Sequence, residues 1–226
     1  MVLVTLGQVL ALGVSLGGCV PGRVVVEPGS AASVVGSGRA ARESRPVAGF
    51  REVVINGSGA AAIRQGDAES LTIEADDNVL PLLTAEVRGE QLWLDAKPGT
   101  SIVPRTPIRY TVTVVELRAV EIPGSAAVET LDLRMPAVRV ALSGSGSVVM
   151  RGTAERQDVA ISGSGVYDGR SLAGREATVS VSGSGRAVVN VSDSLDVSIS
   201  GSGAVDYAGN PQLRQEISGV GVVRAI

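Results

Sequence analysis

The chain has no histidine and a single cysteine, and among its 226 residues the aromatics are one Trp, one Phe and three Tyr. Without histidine there is no Ser-His-Asp relay, no imidazole general base and no His-ligated zinc. The lone thiol, Cys19, cannot close an internal disulfide and lacks the histidine partner of a thiol enzyme. An enzyme would be left with carboxylate, lysine or tyrosine chemistry. Lysine is itself scarce, since Lys97 is the only one among 20 basic residues. Against 23 acidic residues the net charge is -3, and no basic block appears, which argues against nucleic acid as a partner. Hydrophobic residues still make up 44%, enough to fold one core or two small ones. With so few rings, that core must be built from Val, Ile, Leu and Ala, which suit thin, closely stacked sheets.

Residues 1–18, MVLVTLGQVLALGVSLGG, are apolar and uncharged. They end in Leu16-Gly17-Gly18-Cys19, an order that resembles a bacterial lipoprotein processing site, with Leu16, Gly17 and Gly18 as the peptidase recognition residues and Cys19 as the lipidated one. The segment has no Lys or Arg where an export signal usually carries one. Two plainer readings stand beside it: a buried apolar strand or helix with an incidental cysteine, and an uncleaved anchor. The second is short for a span and is interrupted by Gly7, Gln8, Gly13 and Gly17. A lipid anchor on Cys19 implies an exported, membrane-attached protein, and two or three acyl chains hold firmly where one does not. Residues 19–33 are rich in Gly, Pro, Ser and Ala and read as a flexible tether.

From Val34 to Arg118 the pattern is that of strands and turns, an antiparallel or mixed β section. Val53/Ile55, Leu71/Ile73, Leu92/Leu94 and Val112/Val114 sit at period-two spacing, as in strands with one buried face. Arg88-Gly89-Glu90 reads as a hairpin turn. Asp77-Asn78-Val79-Leu80-Pro81 reads as the start of a single helical turn, with an acidic or amide cap just ahead of the apolar pair. Trp93 is expected to pack in the core or at its end, with stacking on a ligand the sharper alternative.

Residues 119–226 repeat. The first glycines Gly124, Gly144, Gly163, Gly183, Gly201 and Gly219 are separated by 20, 19, 20, 18 and 18 residues. Four full Ser-Gly-Ser-Gly copies stand among them, with Gly144-Ser145-Gly146, Gly163-Ser164-Gly165, Gly183-Ser184-Gly185 and Gly201-Ser202-Gly203 as their centres, and Gly57-Ser58-Gly59 matches them earlier in the chain. An apolar-x-apolar pair precedes each copy and a second short strand follows. Eight glycines inside strands would cost about 4 to 8 kcal/mol, a whole domain's stability. They are tolerable at corners, where a Cβ would obstruct the turn. The period predicts an all-β fold, a right-handed parallel β-helix-like solenoid of about 18 to 20 residues per rung, with corners stacked at about 4.8 Å and the corner serines forming a hydroxyl column. The competing arrangement is an antiparallel meander of consecutive hairpins.

Parallel coils also house polysaccharide-cleaving enzymes, which need carboxylates at short range. Here the acidic residues of the repeat, such as Glu129, Asp168, Asp193 and Asp206, are scattered and read as a solvated face. Tyr167 and Tyr207 could stack on sugar rings or, more simply, pack at a sheet edge. No cofactor or metal is called for.

The stretches GSGRAARESRPVAGFREVVINGSG and IRQGDAESLTIEADDNVLPLLTAEVRGEQLWL, followed by serial SGSG units, resemble the auto-transporter adhesin head GIN domain family. The resemblance covers about residues 34–226 and is most specific in the order Gly49-Phe50, Asp77-Asn78-Val79-Leu80-Pro81, Leu92. It implies a bacterial envelope protein, often lipid-anchored, with a β-solenoid-like body and no established catalytic residues. Gly124-Ser125-Ala126 and Gly219-Val220-Gly221 depart from the repeat, as expected of terminal rungs. The expected function is thus a non-enzymatic, adhesin-like envelope lipoprotein at the outer membrane or cell surface, binding an envelope protein or polysaccharide. The alternative is a structural or assembly lipoprotein acting through protein contacts, including contacts with its own copies.

Overall fold

The structure, a computed structural model, describes residues 32–226. The segment read as signal peptide, with Leu16, Gly17, Gly18 and Cys19, and nearly all of the tether lie outside the described residues. In chain order the strands are β1 (Ala32–Val35), β2 (Ala40–Arg45), β3 (Glu52–Ile55), β4 (Ala60–Gln65), β5 (Ser70–Asp76), β6 (Leu83–Arg88), β7 (Gln91–Ala96), β8 (Thr100–Val103) and β9 (Arg109–Val114). They continue as β10 (Ala119–Ile122), β11 (Ala127–Leu131), β12 (Leu133–Leu142), β13 (Ser147–Gly163), β14 (Val166–Gly183), β15 (Arg186–Gly201), β16 (Ala204–Ala208), β17 (Gln212–Gly219) and β18 (Val222–Ala225). One 3-10 turn, Leu80–Leu82, precedes β6.

The fold is an all-β solenoid preceded by a mixed sheet section. Every contact between successive windings is parallel, which excludes the meander. Register explains why the core is continuous. On one side Leu92, Val53, Val120, Val140, Val159, Val179 and Val197 stand one above another, all buried. On the other side the column is Tyr110, Ala61, Val128, Val148, Tyr167, Ala187 and Val205, also buried. Each tyrosine in that column has an alanine for a neighbour, Ala61 beside Tyr110 and Ala187 beside Tyr167. A small side chain beside each large one leaves room for the ring in a narrow interior. Between the two sides β13, β14 and β15 bend without breaking, so a third side is formed where Leu133, Gly152 and Leu172 align.

The coil begins earlier than residue 119. β3 and β4 flank Gly57-Ser58-Gly59 and pair in parallel with β10 and β11. Gly124-Ser125-Ala126 is therefore an interior corner and not a terminal one: Ser125 N–H donates to Gly57 O at 2.9 Å. Residues 66–118 are an excursion from this winding. They return as β7 and β9, parallel to β3 and β4, and carry antiparallel neighbours of their own, β6 on β7 and β5 on β9, while the earlier strand β2 pairs antiparallel with β5. The β6–β7 hairpin turns at Gly89, with φ 63°.

Two local expectations are corrected. The 3-10 turn has no side-chain cap. Asn78 instead accepts from Ser37 N–H at 2.8 Å and donates to Val35 O at 2.9 Å, and Asp77 accepts from the Ser37 hydroxyl, which ties the β1–β2 connection down. β1 begins at Ala32, two residues ahead of Val34, and pairs with β8.

Candidate binding surface

Each Gly-Ser-Gly corner is shaped by contact with the winding before it. Gly183 has φ 121°, and a Cβ on it would stand 2.6 Å from Gly163 O. A side chain there would face both backbone strain and a backbone clash. Gly144, Gly163 and Gly201 occupy the same place in their windings, each with its nearest obstruction in the preceding corner. The second glycines, Gly146, Gly165, Gly185 and Gly203, face inward and are buried against the aliphatic side chains of the preceding winding, as Gly165 is against Leu142. The first glycine's carbonyl accepts the N–H of the next winding's middle serine: Ser164 to Gly144 at 3.1 Å, Ser184 to Gly163 at 2.9 Å, Ser202 to Gly183 at 2.8 Å. Ser145, Ser164, Ser184 and Ser202 project to solvent, as does Ser58. A second serine row runs beside them in register, Ser162, Ser182, Ser200 and Ser218.

A groove that sequence reasoning missed lies nearer the start of the coil. Its floor is a patch of small outward residues: Ala60, Ala127 and Ser147 in one aligned row, with Ala62 in the next row beside Glu129 and Val149. Bulkier neighbours on β5 and β9 leave a depression of 370 Å³ above that floor. Glu74, Arg109 and Glu129 stand around it. Glu74 pairs with Arg42 at 3.3 Å and Glu129 with Arg151 at 3.1 Å, while Arg109 has no ion pair among the described residues. The run Gly59-Ala60-Ala61-Ala62, matched by Ala126-Ala127, was its signal in the sequence.

The ionisable groups with shifted equilibria hold structure. Asp76 is fully buried, which opposes its charge, yet N–H groups of Thr106, Arg105 and Gly38 and the Thr106 hydroxyl all donate to it and keep its carboxyl below the ordinary value. Asp206 is likewise buried, and the guanidiniums of Arg186 and Arg224 outweigh that burial and lower its pKa. Hydrogen bonds from Arg118, and from Ser192 and Arg175, lower Glu116 and Asp193 respectively. A carboxyl lowered in this way is no proton donor at neutral pH. Tyr167 is not at a sheet edge: it is wholly buried, its hydroxyl donating to Gln157 Oε1 at 3.0 Å, and burial raises its pKa. Sugar stacking by Tyr167 is thereby ruled out. Burial also pushes Tyr110 up to about 12. Trp93 is half-buried, its indole N–H donating to Gln91 and Arg88 lying over its ring at 5.2 Å. No group of three or more His, Cys, Asp or Glu residues among those described could hold a metal ion.

A parallel coil with satisfied buried polar groups among the described residues, a hydroxyl-lined edge and a shallow groove belongs to the class of β-solenoids. The chain belongs to the family described as "Putative auto-transporter adhesin, head GIN domain", whose model matches residues 49–211. Its fold is shared by a "putative adhesin" of Bacteroides fragilis, 20% identical, covering 85% of this chain and 100% of that one with a TM-score of 0.73. A "putative lipid binding protein" of Parabacteroides distasonis is 21% identical, covering 86% and 99%, at a TM-score of 0.58. A "putative adhesin" of Parabacteroides merdae is 18% identical, covering 87% and 100%, at 0.52. No curated protein matches the chain. Family and structural neighbours are named for adhesion or binding and not for catalysis. No helix among the described residues is long and apolar enough to cross a membrane.

Proposed function

We propose that this protein is a non-enzymatic lipoprotein of the bacterial cell envelope, tethered through a lipidated Cys19 and presenting its solenoid as an adhesin-like binding domain at the outer membrane or cell surface. The observation that carries the reading is the groove over Ala60, Ala62, Ala127 and Ser147, a shallow, weakly polar shelf with the guanidinium of Arg109 beside it. Such a shelf suits an extended segment of envelope polysaccharide or protein, with apolar contact along the floor and Arg109 meeting an acidic or hydroxyl group. Family membership supports adhesion as the broad role, and Leu16-Gly17-Gly18-Cys19 supports the anchor.

Purified residues 32–226, which contain the buried aliphatic core of the coil, are expected to retain ligand on a glycan array or in a cell-wall pulldown. Ala62→Arg, which fills the groove from an exposed position, should abolish retention while leaving the circular dichroism spectrum unchanged. A flat response of the unsubstituted protein across both formats would sink the binding reading. The anchor has its own test: incorporation of a labelled fatty acid in cells should disappear in Cys19→Ala, and label surviving that change would exclude lipidation there.

A further inference from the structure

Among the described residues nothing pairs with the free edges of β17 and β18. The inward column that reads Leu195, Val197, Ile199 in β15 continues in β17 as Leu213, Gln215, Ile217. Leu213 and Ile217 are left 38% and 39% exposed, and Val220, Val222 and Ile226 are exposed beside them. A row of unpaired backbone groups next to uncovered aliphatic side chains is a template for another strand.

The order of residues on that edge says which strand. Leu213-Arg214-Gln215-Glu216-Ile217 is self-complementary about Gln215. Laid antiparallel on its own copy with Gln215 opposite Gln215, Arg214 meets Glu216 twice and Leu213 meets Ile217 twice. In the parallel register Arg214 and Glu216 follow the exposed Asp196 and Ser198, so both belong to the outer surface, and neither has an ion pair among the described residues. Gln215 is also accounted for. It stands at the position filled by valine in the windings before it, and it is exposed at the open edge. In the antiparallel register the two amides face and can hydrogen-bond each other.

We infer that the open end of the solenoid is a homodimer interface, in which β17 of two copies pair antiparallel about a twofold axis at Gln215. A contact of this kind is isologous, with the same residues of β17 contributed by both copies. The inference does not depend on the ligand of the groove, which lies toward the other end of the coil.

Residues 32–226 are expected to sediment at twice the monomer mass at high concentration and to dissociate on dilution. Arg214→Glu sets Glu against Glu at two places and Glu216→Arg sets Arg against Arg. Each should weaken self-association at least about tenfold. An equimolar mixture of the two variants should recover a heterodimer, and R214E/E216R in one chain should recover the homodimer. Gln215→Cys, the only thiol in residues 32–226, should form an interchain disulfide on mild oxidation. A strictly monomeric wild type would overturn the proposal. So would a dimer indifferent to both charge reversals, since the interface would then lie elsewhere. Unchanged circular dichroism in the single variants keeps a folding defect from imitating the expected result.

Discussion

At the end of the coil formed by β7 and β9, the antiparallel strands β6, β5 and β2 flank the outermost winding, whereas at the end formed by β17 and β18 no described strand follows. Both ends carry inward aliphatic residues, and their fates differ. Leu92 and Leu94 of β7 and Ile73 of β5 are fully buried, while Leu213 and Ile217 of β17 keep more than a third of their surface. A parallel winding cannot cover its own outer edge, because the next strand in the same direction needs a whole further turn of chain. A strand that reverses covers it at once, and this is what the excursion through residues 66–118 supplies. Among the described residues the end formed by β17 and β18 has no such reversal.

The largest effect on this comparison is expected midway between the ends. Gly183→Val forces a β-branched residue to φ 121° and drives its Cβ toward Gly163 O. Strain and overpacking together should cost at least about 4 kcal/mol in urea unfolding. Because each winding touches only its neighbours, limited proteolysis should then remove the open end and spare the capped one. A single cooperative transition at the unsubstituted midpoint would show that the corner tolerates a side chain.

Truncation at the two ends should separate them by a smaller margin. Leu94→Ala, at a site with no exposure, is expected to lose about 3 kcal/mol. Ile217→Ala, 39% exposed, should lose about 1 kcal/mol or less in dilute monomer. Equal losses would mean that the open end is covered in solution by something other than a second copy.

The smallest effect is a pH dependence. Asp76 at the capped end and Asp206 at the open end both have carboxyl pKa values below the ordinary 3.8. The stability they confer is complete above that value and is lost as pH falls through their folded-state values. Asp76→Asn should therefore be less stable than the parent at pH about 6, with the gap closing by pH about 2. A gap of constant size across that range would remove ionisation from the explanation.

Much of the coil was legible in the sequence because its causes are local and repeated. Alternation picked out Val53, Ile55, Leu71, Ile73, Leu92, Leu94, Val112 and Val114, all of which are buried. The glycine period located the corners and favoured parallel stacking over the meander. What escaped depends on residues distant in the chain. Gly57 and Gly124 are neighbours across the whole excursion of residues 66–118, so no fixed period joined them, and Gly124-Ser125-Ala126 read as an end when it is an interior corner. Tyr167 looked like a surface ring because it stands between outward residues and a glycine corner. Its burial is decided by Ala187 in the next winding, by Gly169, where a Cβ would meet its ring, and by Gln157, which takes its hydroxyl. The groove needed three windings in register before its alanines became one floor.

By itself the sequence determined the class of the core, small and aliphatic, the strand character of the repeat and the position of its turns. Those follow from side-chain size, from alternation and from the one residue that can sit where another backbone passes close by. Only the tertiary structure decided which winding is first, which end is covered and which outward residues form a common surface. These are questions of adjacency between residues far apart in the chain, and adjacency is fixed when the windings stack and exclude water together.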